Sequence, residues 1–69
     1  MADVRIDTDF IKLDALLKFA GAVMSGGEAK TAVAEGLVRV NGETCLMRGK
    51  KLYPGDVVEL GGEAFKVTK

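Results

Sequence analysis

The strongest constraint on the fold of this chain is a turn signal, Asn41-Gly42, which directly follows an alternating segment at residues 37–40. Asn and Gly both accept the positive φ angles that a tight two-residue hairpin turn requires. Alternation of apolar and polar side chains is typical of a strand with one buried face. We therefore predict a β-hairpin with a return strand at residues 43–46, in which Arg39 points away from the core.

The segment before this hairpin has helical rather than alternating periodicity. Thr8 or Asp9 is suited to cap a helix N-terminus, and Gly21 is suited to end one. We predict a first helix over residues 9–20, because its apolar side chains recur at helical spacing: Phe10, Leu13, Leu16, Leu17 and Ala20.

A second helix is predicted to begin at Ser25. Glu28 follows three residues later, which is the capping-box pattern in which a Ser hydroxyl and a Glu carboxylate satisfy free backbone N–H groups. The intervening Gly26 and Gly27 are poor helix formers, and Gly36 is the expected end of the helix.

The remaining segments complete an α+β pattern, in which two helices pack on a small antiparallel sheet. With 69 residues, the chain is expected to form one domain. The other predicted features are a strand at residues 3–6, a basic loop at 47–52, a turn at Pro54-Gly55-Asp56, a strand at 57–60, a turn at Gly61-Gly62 and a strand at 64–67.

Few residues here are suited to catalysis or metal binding. The chain has no His and one Cys, Cys45, so neither a zinc site nor an internal disulfide is expected. Ser25 has no nearby base, and Asp7 and Asp9 are interpreted as helix-end charges. We predict no enzyme activity and no cofactor, and Cys45 is expected to be a partly buried apolar side chain.

Neither a signal peptide nor a membrane span is apparent, so we expect a cytoplasmic location.

Positive charge is concentrated in the middle of the chain, although the formal net charge is zero. Residues 30–51 contain five bases and two acids, whereas both flanking segments are net acidic. A local basic patch attracts anionic partners even on a neutral molecule. The five bases are Lys30, Arg39, Arg48, Lys50 and Lys51.

Several short strings together resemble the alpha-L RNA-binding motif, also called the S-four domain. They are Leu13-Asp14 with Leu17, the segment from Ser25 to Lys30, Gly36-Leu-Val-Arg-Val-Asn-Gly42, and Pro54-Gly-Asp-Val-Val58. The resemblance covers about residues 9–60. It is greatest to free-standing bacterial members of the YaaA and YbcJ type, which consist of little more than this domain and carry a similar basic stretch. Many family members have Arg just after the Ser, where this chain has Gly26-Gly27.

The resemblance implies a monomeric module that binds structured ribosomal or transfer RNA. In the family fold, the second helix and the following hairpin lie side by side, so the five bases are expected to share one face. Aromatic stacking is expected to contribute little, because Tyr53 is the single tyrosine and the three phenylalanines fit the core. The implied RNA-binding residues are Lys30, Arg39, Asn41, Arg48, Lys50 and Lys51, with Lys12, Lys18 and Ser25 as secondary candidates.

Two other function classes remain open. A ubiquitin-like β-grasp carrier also has Asn-Gly-Glu and Gly-Asp-x-Val strings, but it needs a C-terminal Gly-Gly, and the Gly61-Gly62 pair here is internal. A protein-interaction module without a nucleic-acid role would instead use an exposed apolar patch. The sequence does not locate such a patch.

Overall fold

The computed structural model describes residues 1–69, which form two helices and seven strands. The helices are α1 (Leu13–Phe19) and α2 (Gly26–Ala34). The strands are β1 (Ala2–Arg5), β2 (Ile11–Lys12), β3 (Arg39–Val40), β4 (Glu43–Thr44), β5 (Lys51–Leu52), β6 (Val57–Leu60) and β7 (Glu63–Thr68). The predicted combination of two helices with a small sheet is therefore confirmed.

The strands form two sheets. The larger has the order β1-β7-β6-β3-β4, and the smaller pairs β2 with β5. The larger sheet is mixed rather than antiparallel as predicted, because β1 pairs with β7 in parallel. These two strands come from opposite ends of the chain, so no hairpin turn dictates their relative direction.

The first helix is shorter than predicted, beginning at Leu13 instead of residue 9. Residues 11–12 are a strand instead, because Ile11 pairs with Leu52 and Lys12 with Lys51. Thr8 does not cap the helix, and its hydroxyl donates to the Phe10 carbonyl at 2.7 Å. The helical spacing of apolar residues begins at Phe10, but residues 11 and 12 pair with β5 instead of joining the helix. The predicted start was therefore wrong, because the local pattern does not show this tertiary pairing.

The second helix begins and ends as predicted. The Ser25 hydroxyl accepts from the Glu28 backbone N–H at 3.2 Å, and Gly36 follows the helix with a φ of 74°. The Glu28 carboxylate accepts from the Met24 N–H at 3.1 Å, one residue before the position expected of a capping box. Three residues from α2 enter the core: Ala29, Ala32 and Val33.

The predicted hairpin is present, with φ angles of 52° at Asn41 and 84° at Gly42. Its return strand β4 ends at Thr44, two residues earlier than predicted.

The core contains 15 buried residues, all of them apolar. Phe65 is among them, but Phe10 is only half-buried and Phe19 is 68% exposed, so two of the three phenylalanines were wrongly placed in the core. Phe19 is the last residue of α1.

Candidate nucleic-acid interface

Four basic residues meet where the small sheet joins the N-terminus of α1. Lys12 and Lys51 are directly opposed partners in the β2–β5 pair. The backbone carbonyls of Arg48 and Lys50 accept hydrogen bonds from the first turn of α1, from Asp14 N–H at 3.0 Å and Leu13 N–H at 2.9 Å. All four side chains are exposed. We call Lys12, Arg48, Lys50 and Lys51 the basic cluster.

A tight turn gives the basic cluster its shape. The Lys50 N–H donates to the Met47 carbonyl at 3.1 Å, which folds residues 47–50 back on themselves. The carbonyls of this turn satisfy N–H groups that every helix N-terminus leaves without an intrahelical partner. The N-cap residue itself, Lys12, makes no side-chain capping hydrogen bond. The loop backbone is therefore fixed against the helix while its charged side chains remain in solvent.

The basic cluster carries no ion pair within the protein. The one salt bridge in the structure joins Lys69 to Asp9 at 3.4 Å. Asp14, on the first turn of α1, uses its carboxylate to accept from the Ala15 N–H at 2.8 Å. The four positive charges are therefore available to an external anion.

The small sheet also explains why two of these bases face outward. Leu52 is fully buried, and its neighbour Lys51 is exposed. Because successive side chains in a strand point to opposite faces, burial of Leu52 directs Lys51 to solvent. The loop predicted at residues 47–52 therefore ends in a strand, β5. Lys12 is only a secondary candidate by sequence, since no local pattern indicates that it pairs with Lys51.

The other predicted bases lie on separate elements. Lys30 is on the exposed surface of α2, and Lys18 is on that of α1. Arg39 is exposed on β3 between buried Val38 and Val40, as alternation predicted. On this outer face of the large sheet it borders a shallow depression of about 250 Å³ whose lining includes two acids, Glu59 and Glu63. The charge of Arg39 is therefore partly offset by these two acids.

Asn41 has partners inside the protein for both ends of its amide. Its Nδ2 donates to Asp56 Oδ1 at 3.1 Å, and its Oδ1 accepts from the Val57 N–H at 2.9 Å. These bonds join the hairpin turn to the start of β6. Besides the turn role predicted for Asn41, they give it a tertiary contact that has no local sequence signal. Ser25 likewise uses its hydroxyl to cap α2.

Two aromatic rings lie beside the basic cluster, although no local sequence pattern indicates that they are neighbours. The ring centroids of Phe10 and Tyr53 are 6.1 Å apart and their planes are tilted by 49°. Lys51 Nζ lies 4.8 Å from the centroid of Phe10, within the range of a cation–π contact. Tyr53 remains 49% exposed. The surface therefore combines cations with an accessible aromatic side chain.

The family model for the S4 domain matches residues 4–68, which is nearly the whole chain. The chain belongs to this family. It is 49% identical over 59 residues to a protein of Bacillus subtilis (strain 168) described as a probable ribosome maturation protein, RlbA, covering 86% of this chain and 83% of that one. It is 37% identical over 58 residues to YbcJ of Escherichia coli (strain K12), covering 84% and 83%.

The solution structure of E. coli YbcJ has the same fold. It aligns with a TM-score of 0.76 at 33% identity, covering all of this chain and 89% of the other, and was described as revealing an alpha-L motif involved in RNA binding. The resemblance inferred from the sequence motifs is therefore confirmed. Family membership also favours the S4 fold over the β-grasp alternative. In the structure, neither helix has the length and apolarity needed to cross a membrane.

Proposed function

We propose that this protein binds structured RNA, of the ribosomal or transfer class, through the basic cluster, and performs no catalysis. The observation that carries the proposal is that backbone hydrogen bonds hold four exposed basic residues close to the N-terminus of α1, and none of them forms an ion pair within the protein. Phosphates of folded RNA lie at regular spacing, and a rigid group of cations that neutralises several of them releases bound counterions. Membership of the S4 family and the RNA-binding description of YbcJ support the same proposal.

The residues of the proposed interface fall into two groups. The basic cluster supplies the main phosphate contacts, and Arg48 is suited to bidentate contact because its guanidinium is planar. Lys30, Arg39 and Lys18 are proposed as peripheral contacts that add long-range attraction. Asn41 and Ser25 are assigned to the fold, because their polar groups already have protein partners.

Ribosomal RNA is the favoured class of target. The B. subtilis relative described as a probable ribosome maturation protein is 49% identical to this chain, and the alignment covers most of both proteins. We propose that this chain acts as a cytoplasmic monomer on RNA of the same kind. Sequencing of RNA crosslinked to the protein in cells distinguishes ribosomal from transfer RNA.

Charge reversal tests the proposal directly. In the Lys50→Glu/Lys51→Glu variant, binding to ribosomal or transfer RNA fragments at moderate salt is expected to be lost while circular dichroism remains that of the folded protein. The matched control is Arg5→Glu/Lys66→Glu, which makes the same charge change at exposed positions of β1 and β7 in the large sheet. Unchanged binding in the first variant, or equal loss in both, would contradict the assignment.

A further inference from the structure

The small sheet presents aromatic and basic side chains on the same face. Lys12 opposes Lys51 and Ile11 opposes Leu52, so continuing this antiparallel register places Phe10 opposite Tyr53. Side chains two residues apart on a strand share a face. Lys12 and Phe10 therefore lie on the same side as Lys51 and Tyr53, and Leu52 points into the core.

The contacts within this face hold Tyr53 in place. Phe10 packs against its ring at a centroid distance of 6.1 Å, which is in the range of tilted aromatic pairs. The Tyr53 backbone N–H donates to Asp56 Oδ2 at 2.8 Å. Because both the ring and the backbone of Tyr53 are already restrained, stacking of a ligand on the ring costs little conformational entropy of this side chain.

Tyr53 presents an accessible aromatic ring to solvent. Its side chain is about half exposed, and no hydrogen bond of its hydroxyl to the protein is present in the structure. An accessible aromatic ring next to phosphate-binding cations is the combination that proteins use to bind unpaired nucleotides, with the base on the ring and the backbone on the cations.

We infer that Tyr53 is a stacking site for one unpaired base of the bound RNA, with Lys51 and Lys12 on the phosphates that flank it. The inference rests on the proposed function and narrows its ligand class. The RNA is a helix interrupted by a bulged or looped-out nucleotide, and a continuous duplex lacks the base that Tyr53 would bind. Phe10 acts as a positioning residue, because its ring supports Tyr53 and its face is covered by Lys51.

A pair of RNA probes tests this inference on the full chain. One is a blunt RNA duplex, and the other is the same duplex with a single bulged adenosine, prepared also with the fluorescent analogue aminopurine at that position. The wild-type protein is expected to bind the bulged duplex about tenfold more tightly, given the usual contribution of one base–aromatic stack. Stacking on Tyr53 is expected to quench the aminopurine fluorescence.

Two substitutions of Tyr53 separate stacking from folding. Tyr53→Leu keeps an apolar contact for Phe10 but removes the aromatic face, so it is expected to abolish the preference and the quenching while binding to the blunt duplex is unchanged. Tyr53→Phe is expected to retain both. Blunt-duplex binding by the Leu variant also shows that it is folded.

The outcomes also separate this inference from the proposed function. Equal wild-type affinity for both probes, or an equal loss on both in Tyr53→Leu, overturns the stacking site and leaves the phosphate-binding cluster in place. Failure of the wild-type protein to bind either RNA at low salt overturns both proposals. A preference for the bulged duplex that survives in Tyr53→Leu also overturns the stacking site.

Discussion

The side chains of Asn41 and Asp56 form a hydrogen bond of 3.1 Å, although 15 residues separate them in the sequence. This bond connects the two turn motifs, Asn41-Gly42 and Pro54-Gly55-Asp56, that indicated the family. Asp56 completes the connection by accepting from the Tyr53 N–H through its second carboxylate oxygen at 2.8 Å. The two turns are therefore joined through Asp56, which also restrains the backbone of the neighbouring Tyr53.

Removing the Asn41 side chain is expected to destabilise the fold. Asn41→Gly retains the positive φ and removes both amide hydrogen bonds, so the free energy of unfolding should fall by about 1–2 kcal/mol. Urea denaturation measures this change. A double-mutant cycle with Asp56→Ala should show that the two effects are not additive, because the side chains contact each other. Additive effects would contradict the proposed connection between the turns.

Two glycine substitutions should change stability in opposite directions. Gly27→Ala places a methyl group 3.8 Å from Ser25 Oγ, an ordinary contact, and should stabilise α2 by about 0.5–1 kcal/mol. Gly36→Ala has similar room, but the φ of 74° at this position should make it destabilising by about 1–2 kcal/mol. Thermal unfolding of both variants tests the assignment. Destabilisation by Gly27→Ala would mean that the start of α2 is packed differently.

The N-cap of α2 should contribute measurably to stability. Ser25→Ala removes the acceptor of the 3.2 Å hydrogen bond from Glu28 and should lower the unfolding free energy by about 1 kcal/mol. Ser25→Asp, which can accept the same bond, should recover most of that loss. Equal stability of the Ala and wild-type proteins in urea would show that the cap is dispensable.

Adjacent residues of β5 should separate stability from RNA binding. Leu52→Ala removes a fully buried side chain and should cost about 2–5 kcal/mol of unfolding free energy. Lys51→Ala should cost no more than about 1 kcal/mol, which is the scale of its exposed cation–π contact with Phe10. It should weaken RNA binding nonetheless. If Lys51→Ala unfolds the protein to the same extent, Lys51 has a structural role that its exposure does not indicate.

Local chemistry was sufficient to predict the features that depend on neighbouring residues. The Ser25 cap, the Asn41-Gly42 turn and the outward direction of Arg39 each follow from residues within a few positions. The pairing of β2 with β5 depends on residues about 40 positions apart and has no local signal. For the same reason the sequence did not show that Lys12 lies opposite Lys51. Phe10 matched the helical pattern of α1, which concealed its contact with Tyr53.

The salt dependence of RNA binding tests the central claim most directly. We assume that each of the four cations of the basic cluster neutralises one phosphate of an RNA helix. With the B-form duplex coefficient of about 0.9 per phosphate, a plot of log affinity against log salt should then have a negative slope with a magnitude of at least about 3.6. Lys50→Gln/Lys51→Gln should reduce the magnitude of that slope by about 1.8. Arg5→Gln/Lys66→Gln, with the same loss of charge, should leave it unchanged. An unchanged slope in the first variant, or an equal reduction in both, would contradict the account.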